Sequence, residues 1–115
     1  APETVGPLVI VDSLPFFAAA MNPTATADSV RPMAEGMRTQ MLAADDATYA
    51  KQAEAALRGM TRDPARVETL KAWGRSSDRA TTTQAMYELM TTDLRGELSK
   101  VKSPTLVLGA WAAYA

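Results

Sequence analysis

Proton transfer, nucleophilic attack and metal binding each demand particular side chains, and this sequence offers few of them. It contains no histidine and no cysteine. The commonest general base, the commonest neutral metal ligand, thiolate chemistry and disulfides are therefore excluded. Hydroxyls are present, Ser13 among them, but no histidine is there to activate them, and no Gly-x-Ser-x-Gly elbow occurs. The best-placed carboxylate is Asp12, which directly follows the apolar run Leu8-Val9-Ile10-Val11. The carboxyl end of a strand is where open α/β sheets build their sites. A structural role is the alternative, with Asp12 receiving backbone N–H groups at the turn before Pro15. Asp45-Asp46 reads as a helix cap rather than a cation site, because no other acidic residue stands at a ligand spacing. Asp63 likewise reads as a cap.

Apolar side chains give a second set of candidates. Seven methionines are many for 115 residues. Met33, Met37, Met41, Met60 and Met86 are expected on inner helix faces, with Met90 beside them. Met is flexible and polarizable and suits an adaptable apolar pocket; ordinary helix packing is the simpler account. Phe16 and Phe17 follow the first strand run, where they either contact a ligand or fill a core.

The elements that must carry these residues are legible from pattern. Leu8–Val11 is short, continuous and mostly β-branched, as in a strand buried on both faces of a parallel sheet. Phe16–Met21 forms a turn of helix, broken at Asn22-Pro23. A helix over 29–43, capped by Asp28, carries a stripe of Val30, Met33, Met37 and Met41, with Pro32 in its first turn. A second spans 47–60, with Tyr49, Ala53, Leu57 and Met60 on one face and Gly59 at its end. Lys51, Glu54, Arg58 and Arg62 form a solvated, ion-paired face. A third begins at Asp63-Pro64 and stops at Gly74, with Val67, Leu70 and Trp73 inward. After a polar turn over 75–78, a fourth covers 79–90, with Thr82, Met86, Leu89 and Met90 inward. Asp93 caps a further short turn, and Leu94, Leu98 and Val101 point the same way. Ser103-Pro104 precedes a second apolar run, Thr105–Leu108, ending at Gly109. The fold class is mainly α with two short flanking strands, which a crossover should make parallel with a right-handed connection. Two strands alone do not make a stable sheet, and their open edges call for partners.

Bulk properties narrow the field. Hydrophobic residues make up 47% and charged residues 22%, enough apolar surface for a folded domain. Twelve basic and 13 acidic residues give a net charge of -1, and no basic stripe appears, so nucleic acid is not an expected partner. No apolar run approaches a membrane span of about 20 residues, so neither is a membrane. The first residues, Ala-Pro-Glu-Thr, and the last, Trp-Ala-Ala-Tyr-Ala, are both expected to be cut ends.

Ala1-Pro-Glu-Thr-Val-Gly-Pro-Leu-Val-Ile-Val-Asp12 resembles the entry to the sixth strand of α/β-hydrolase-fold proteins. Asp93-Leu-Arg-Gly-Glu-Leu-Ser-Lys-Val-Lys-Ser-Pro-Thr-Leu-Val-Leu-Gly109 is similar to that family's approach to the seventh strand. Between the two, the family inserts a helical lid over its active site. The resemblance implies a lid/cap fragment flanked by two core strands: 1–14 as strand and turn, 15–102 as lid, 103–115 as strand and truncated loop. It implies a parent that hydrolyses esters or other acyl compounds through a Ser, an acid and a His. The nucleophile would precede this segment and the His would follow it. The family's acid normally stands about three positions after the Gly that ends the seventh strand, where this chain has Ala112. Asp12 occupies the family's alternative location for that acid. Phe16, Phe17, Met33, Met37 and Trp111 would then face the substrate, with Tyr114 near Trp111. No cofactor and no metal are implied. The expected partners are the remainder of the parent, a second or further copy of the chain, and a small-molecule substrate of the parent. No turnover is expected of the chain alone. The rival expectation is a small helical self-associating interaction domain.

Overall fold

A computed structural model describes residues 4–61 and 63–109. It is mainly helical with two short strands, in the order β1 (Leu8–Val11), α1 (Ala18–Met21), α2 (Ala27–Ala43), α3 (Asp46–Met60), α4 (Pro64–Ser76), α5 (Arg79–Thr91), a 3₁₀ segment (Arg95–Lys100) and β2 (Thr105–Leu108).

The strands pair in parallel, Leu8 with Thr105 through Val11 with Leu108. Leu8 N–H donates to Pro104 O at 2.9 Å and Asp12 N–H to Leu108 O at 2.7 Å, bracketing the ladder. Apolar runs of this kind are normally covered on both faces. Here Leu8 and Ile10 are half-buried, Val9 and Val11 are exposed, and all four residues of β2 are exposed.

The chain divides into two compact units. One comprises the residues up to Val30 together with those from Met90 onward; the other is Arg31–Leu89. The core of the first unit is Phe16, Ala18 and Ala25, with Ala19 and Val30 packed on it. In the second, α3 packs on α4, and Lys71 Nζ bridges Glu54 and Glu68, each at 3.0 Å. Arg38 of α2 donates to Gln84 of α5 at 3.0 Å and lies over the Tyr87 ring. Arg79 donates to Ala44 O at 2.7 Å and lies over Tyr49, closing the end of α2.

Several local expectations are corrected. The first long helix starts two residues early, because Thr26 caps it: Ser29 N–H donates to Thr26 Oγ1, and Thr26 N–H to Ser29 Oγ. This reciprocal pair satisfies two end donors and leaves Asp28 inside the first turn. Pro32 therefore sits in the second turn, where its ring removes one helical hydrogen bond. The inward stripe of α2 runs through Val30, Ala34, Met37 and Met41, and Ala34 rather than Met33 is the buried member. Both sets satisfy the same three- and four-residue steps; only packing distinguishes them.

Gly74 does not stop α4. The helix continues to Ser76, and the Ser76 and Ser77 hydroxyls both donate to Trp73 O, at 2.8 and 3.0 Å. Trp73 is 64% exposed, and Met60 and Leu89 also point outward, against expectation. In α5, Thr83 and Met90 are each buried. Two caps hold as read. Asp45 accepts from Thr48 N–H at 2.7 Å, and Asp63 accepts from Ala65 N–H at 3.0 Å with Pro64 at the start of α4. Asp93 does not cap the 3₁₀ segment: Leu94 stands at the cap position without a side-chain bond, and Asp93 instead accepts from Arg95 N–H at 3.0 Å in a local turn.

Candidate functional site

The carboxyl ends of β1 and β2 lie side by side, because the register pairs Val11 with Leu108. Asp12 is the next residue. Its φ of 47° puts it in the left-handed region, which Asp tolerates better than most residues because its short polar side chain bonds locally. That backbone turns the chain out of the sheet while the Asp12 N–H still closes the ladder. Ser13 and Leu14 follow on the surface.

Pro15 begins the segment that enters the helices, and its carbonyl accepts the Leu94 N–H at 2.8 Å. The next two residues part company. Phe16 is 2% exposed and forms the core of its unit, whereas Phe17 is 37% exposed. Of the two rings, Phe17 is thus the accessible one. Phe16 belongs to packing, and the substrate-contact expectation does not suit its burial.

Arg95 dominates the polar chemistry of this unit. Its Nε and Nη2 donate to the Asp93 carboxylate at 2.6–3.1 Å, and Nη2 also donates to Ala25 O at 3.0 Å. The guanidinium lies over the Phe16 ring, 4.8 Å from its centre. The side-chain hydrogen bond from Arg95, joined by its backbone N–H, holds the Asp93 carboxyl below the usual carboxylate range. Asp93 in turn raises Arg95. Sequence reasoning gave Asp93 a capping role and passed over Arg95. The signal was an arginine two residues after an aspartate, with no other partner legible until the chain folded.

Met33 and Met37 lie in the Arg31–Leu89 unit. Met33 is 56% exposed, and Met37 is half-buried on the inner stripe of α2. That unit also carries an open depression along α5, lined by Ala80, Thr81, Gln84, Ala85 and Glu88. Its Glu88 carboxylate accepts from Gln84 Nε2 at 2.9 Å and its Thr81 hydroxyl donates to Asp78 Oδ1 at 2.7 Å. Trp111, like Tyr114 and Ala112, lies outside the described residues. Among the described residues there is no group of three acidic side chains arranged to hold a metal ion. No described helix is long and apolar enough to cross a membrane.

The arrangement offers one carboxylate at a strand's carboxyl edge, one accessible aromatic ring close by in the chain, and a tightly bonded arginine on the neighbouring Phe16 ring. Comparison with protein-family models, with curated proteins and with solved structures gives no match to this chain.

Proposed function

We propose that this chain comprises the helical lid and two flanking core strands of an α/β-hydrolase-like protein, whose parent is a serine-type ester or acyl hydrolase. The observation that carries this reading is the parallel pairing of Leu8–Val11 with Thr105–Leu108 across a helical excursion, with all of β2 and the Val9 and Val11 face of β1 exposed. Parallel strands of this composition occur with both faces covered and with further strands beside them. The reading supplies those neighbours from the rest of the parent. It also accounts for Asp12, which stands at the carboxyl edge where such sheets build their sites. Asp12 is then the triad acid, and Phe17 lines the acyl pocket. The chain alone hydrolyses nothing, because nucleophile and base lie elsewhere. Separated from its parent, it self-associates through the uncovered strands.

A small helical interaction domain is the second reading. The exposed Trp73 of α4 favours it, since aromatic side chains are enriched at protein interfaces.

The test is to express the whole reading frame that encodes this segment and treat the product with a fluorophosphonate. The expected result is labelling of a serine in a Gly-x-Ser-x-Gly upstream of Leu8, and no labelling of the 115-residue chain. A frame lacking that motif upstream, or lacking a histidine downstream of Gly109, sinks the reading.

A further inference from the structure

Arg95 is held from three sides, and all its partners lie in the unit that carries the strands. Two of its nitrogens bind Asp93, one of these also reaches Ala25 O, and its plane covers Phe16. Beside it, Leu94 N–H donates to Pro15 O. Asp93, Leu94 and Arg95 belong to the segment that leaves the helical excursion. Pro15, Phe16 and Ala25 belong to the segment that enters it.

An exposed Asp–Arg pair two residues apart would by itself be local and weak. This guanidinium does more, because it also reaches a main-chain carbonyl 70 positions away in sequence. It does so while lying on the ring that anchors the core of the unit. A planar fork is required for that, since one nitrogen must serve the carboxylate and the carbonyl together while the face of the group stays on the ring.

We propose that Arg95 is a positioning residue that ties the exit of the helical excursion to its entry, and so fixes the Asp12–Phe17 turn above the carboxyl edge of the sheet. The tie stands on its own geometry. What the turn then presents to a substrate rests on the hydrolase reading.

The test is residue-resolved amide hydrogen exchange on the 115-residue chain, comparing the unaltered protein with Arg95→Ala, Arg95→Lys and Arg58→Ala. Arg58 is a control: it pairs with Glu54 in the other unit at 2.6 Å. Arg95→Ala should speed exchange of the Leu94 and Ala25 amides by at least roughly tenfold. It should leave the amides of Tyr49 and Thr61, which bond to Asp45 O and Leu57 O, at their original rates. Arg95→Lys should restore only part of the protection, because an ammonium keeps the charge over the ring without the fork. Arg58→Ala should not change the Leu94 amide. An unchanged Leu94 amide in Arg95→Ala overturns the proposal. So does complete rescue by lysine, which would make charge alone sufficient, and so does an equal rise at Tyr49 and Thr61, which would make the effect one of general stability. Failure of the hydrolase reading is seen separately, as absent fluorophosphonate labelling, and leaves the exchange result untouched.

Discussion

The guanidinium carbon of Arg95 lies 4.8 Å from the centre of the Phe16 ring, and Phe16 is among the largest fully buried side chains of the described residues. A cation on an aromatic face is attracted by the ring quadrupole, and desolvation strengthens that attraction. Removing the ring removes both the core and the platform. Phe16→Ala should therefore destabilise the protein by about 3–5 kcal/mol. Phe17→Ala, at the surface, should change stability by less than about 1 kcal/mol. Urea unfolding of the two variants checks the contrast, and equal losses would contradict the assignment of Phe16 to the core.

Acid should loosen the protein only at low pH. Asp93 is depressed by Arg95, Asp45 by the Thr48 N–H and hydroxyl, and Asp78 by the Thr81 hydroxyl and N–H, all from an ordinary 3.8. Glu54 is depressed from 4.5, first by Arg58 and then by Lys71. A depressed carboxylate contributes stability that is fully present above its unfolded value and lost as pH falls through the lower folded value. The urea midpoint should thus stay level between about pH 5 and 8, where no histidine titrates, and fall below about pH 4. Lys71 is raised above 10.5, chiefly by its hydrogen bond to Glu54. Its contribution is present below 10.5 and lost as pH rises beyond it.

Thr83 is 1% exposed, and its hydroxyl has no hydrogen-bond partner among the described residues. An isosteric apolar replacement removes an unpaired polar group and keeps the shape. Thr83→Val should be neutral or stabilising by up to about 1 kcal/mol, whereas a buried, bonded threonine would lose stability on the same change. Thermal unfolding distinguishes the two outcomes.

Neither strand carries a charge, and neither contains the proline or bulge that proteins use to blunt an exposed edge. By light scattering at tens of micromolar, the 115-residue chain should be a dimer or larger. Val9→Lys and Val107→Lys, each placing a charge on an exposed strand position, should shift it towards monomer. A monomeric unaltered chain would end the prediction of self-association.

Asp12→Asn separates the two roles open to that carboxylate. Asparagine also tolerates a positive φ, so the fold should be unaffected. Under the hydrolase reading, with Asp12 as the triad acid, the change should lower kcat of the product of the full reading frame on the order of 10⁴-fold. Ester turnover within a few-fold of the parent would leave Asp12 a structural residue.

Local physics made much of this molecule legible in sequence. The β-branched runs at Leu8 and Thr105 became strands, and an aspartate before a proline at 63–64 started a helix where the spare N–H groups needed an acceptor. Glu54 and Arg58, four residues apart, paired on one helix face as expected. Each of these depends on neighbours within a turn or two. Positions set by distant contacts were not legible. Met33 and Ala34 both fit the same helical period, and only packing buried the alanine. Gly74 could continue a helix because two serines beyond it bond the Trp73 carbonyl. The missing histidine and nucleophile elbow bound the chemistry from sequence alone, since no folding can supply an absent side chain. The parallel sense of the strands followed from the crossover between them, but the register that sets Leu8 beside Thr105, and the bonding of Arg95 to Phe16 and Ala25, were decided by tertiary structure, because each joins residues far apart in the chain, whose proximity no local pattern encodes.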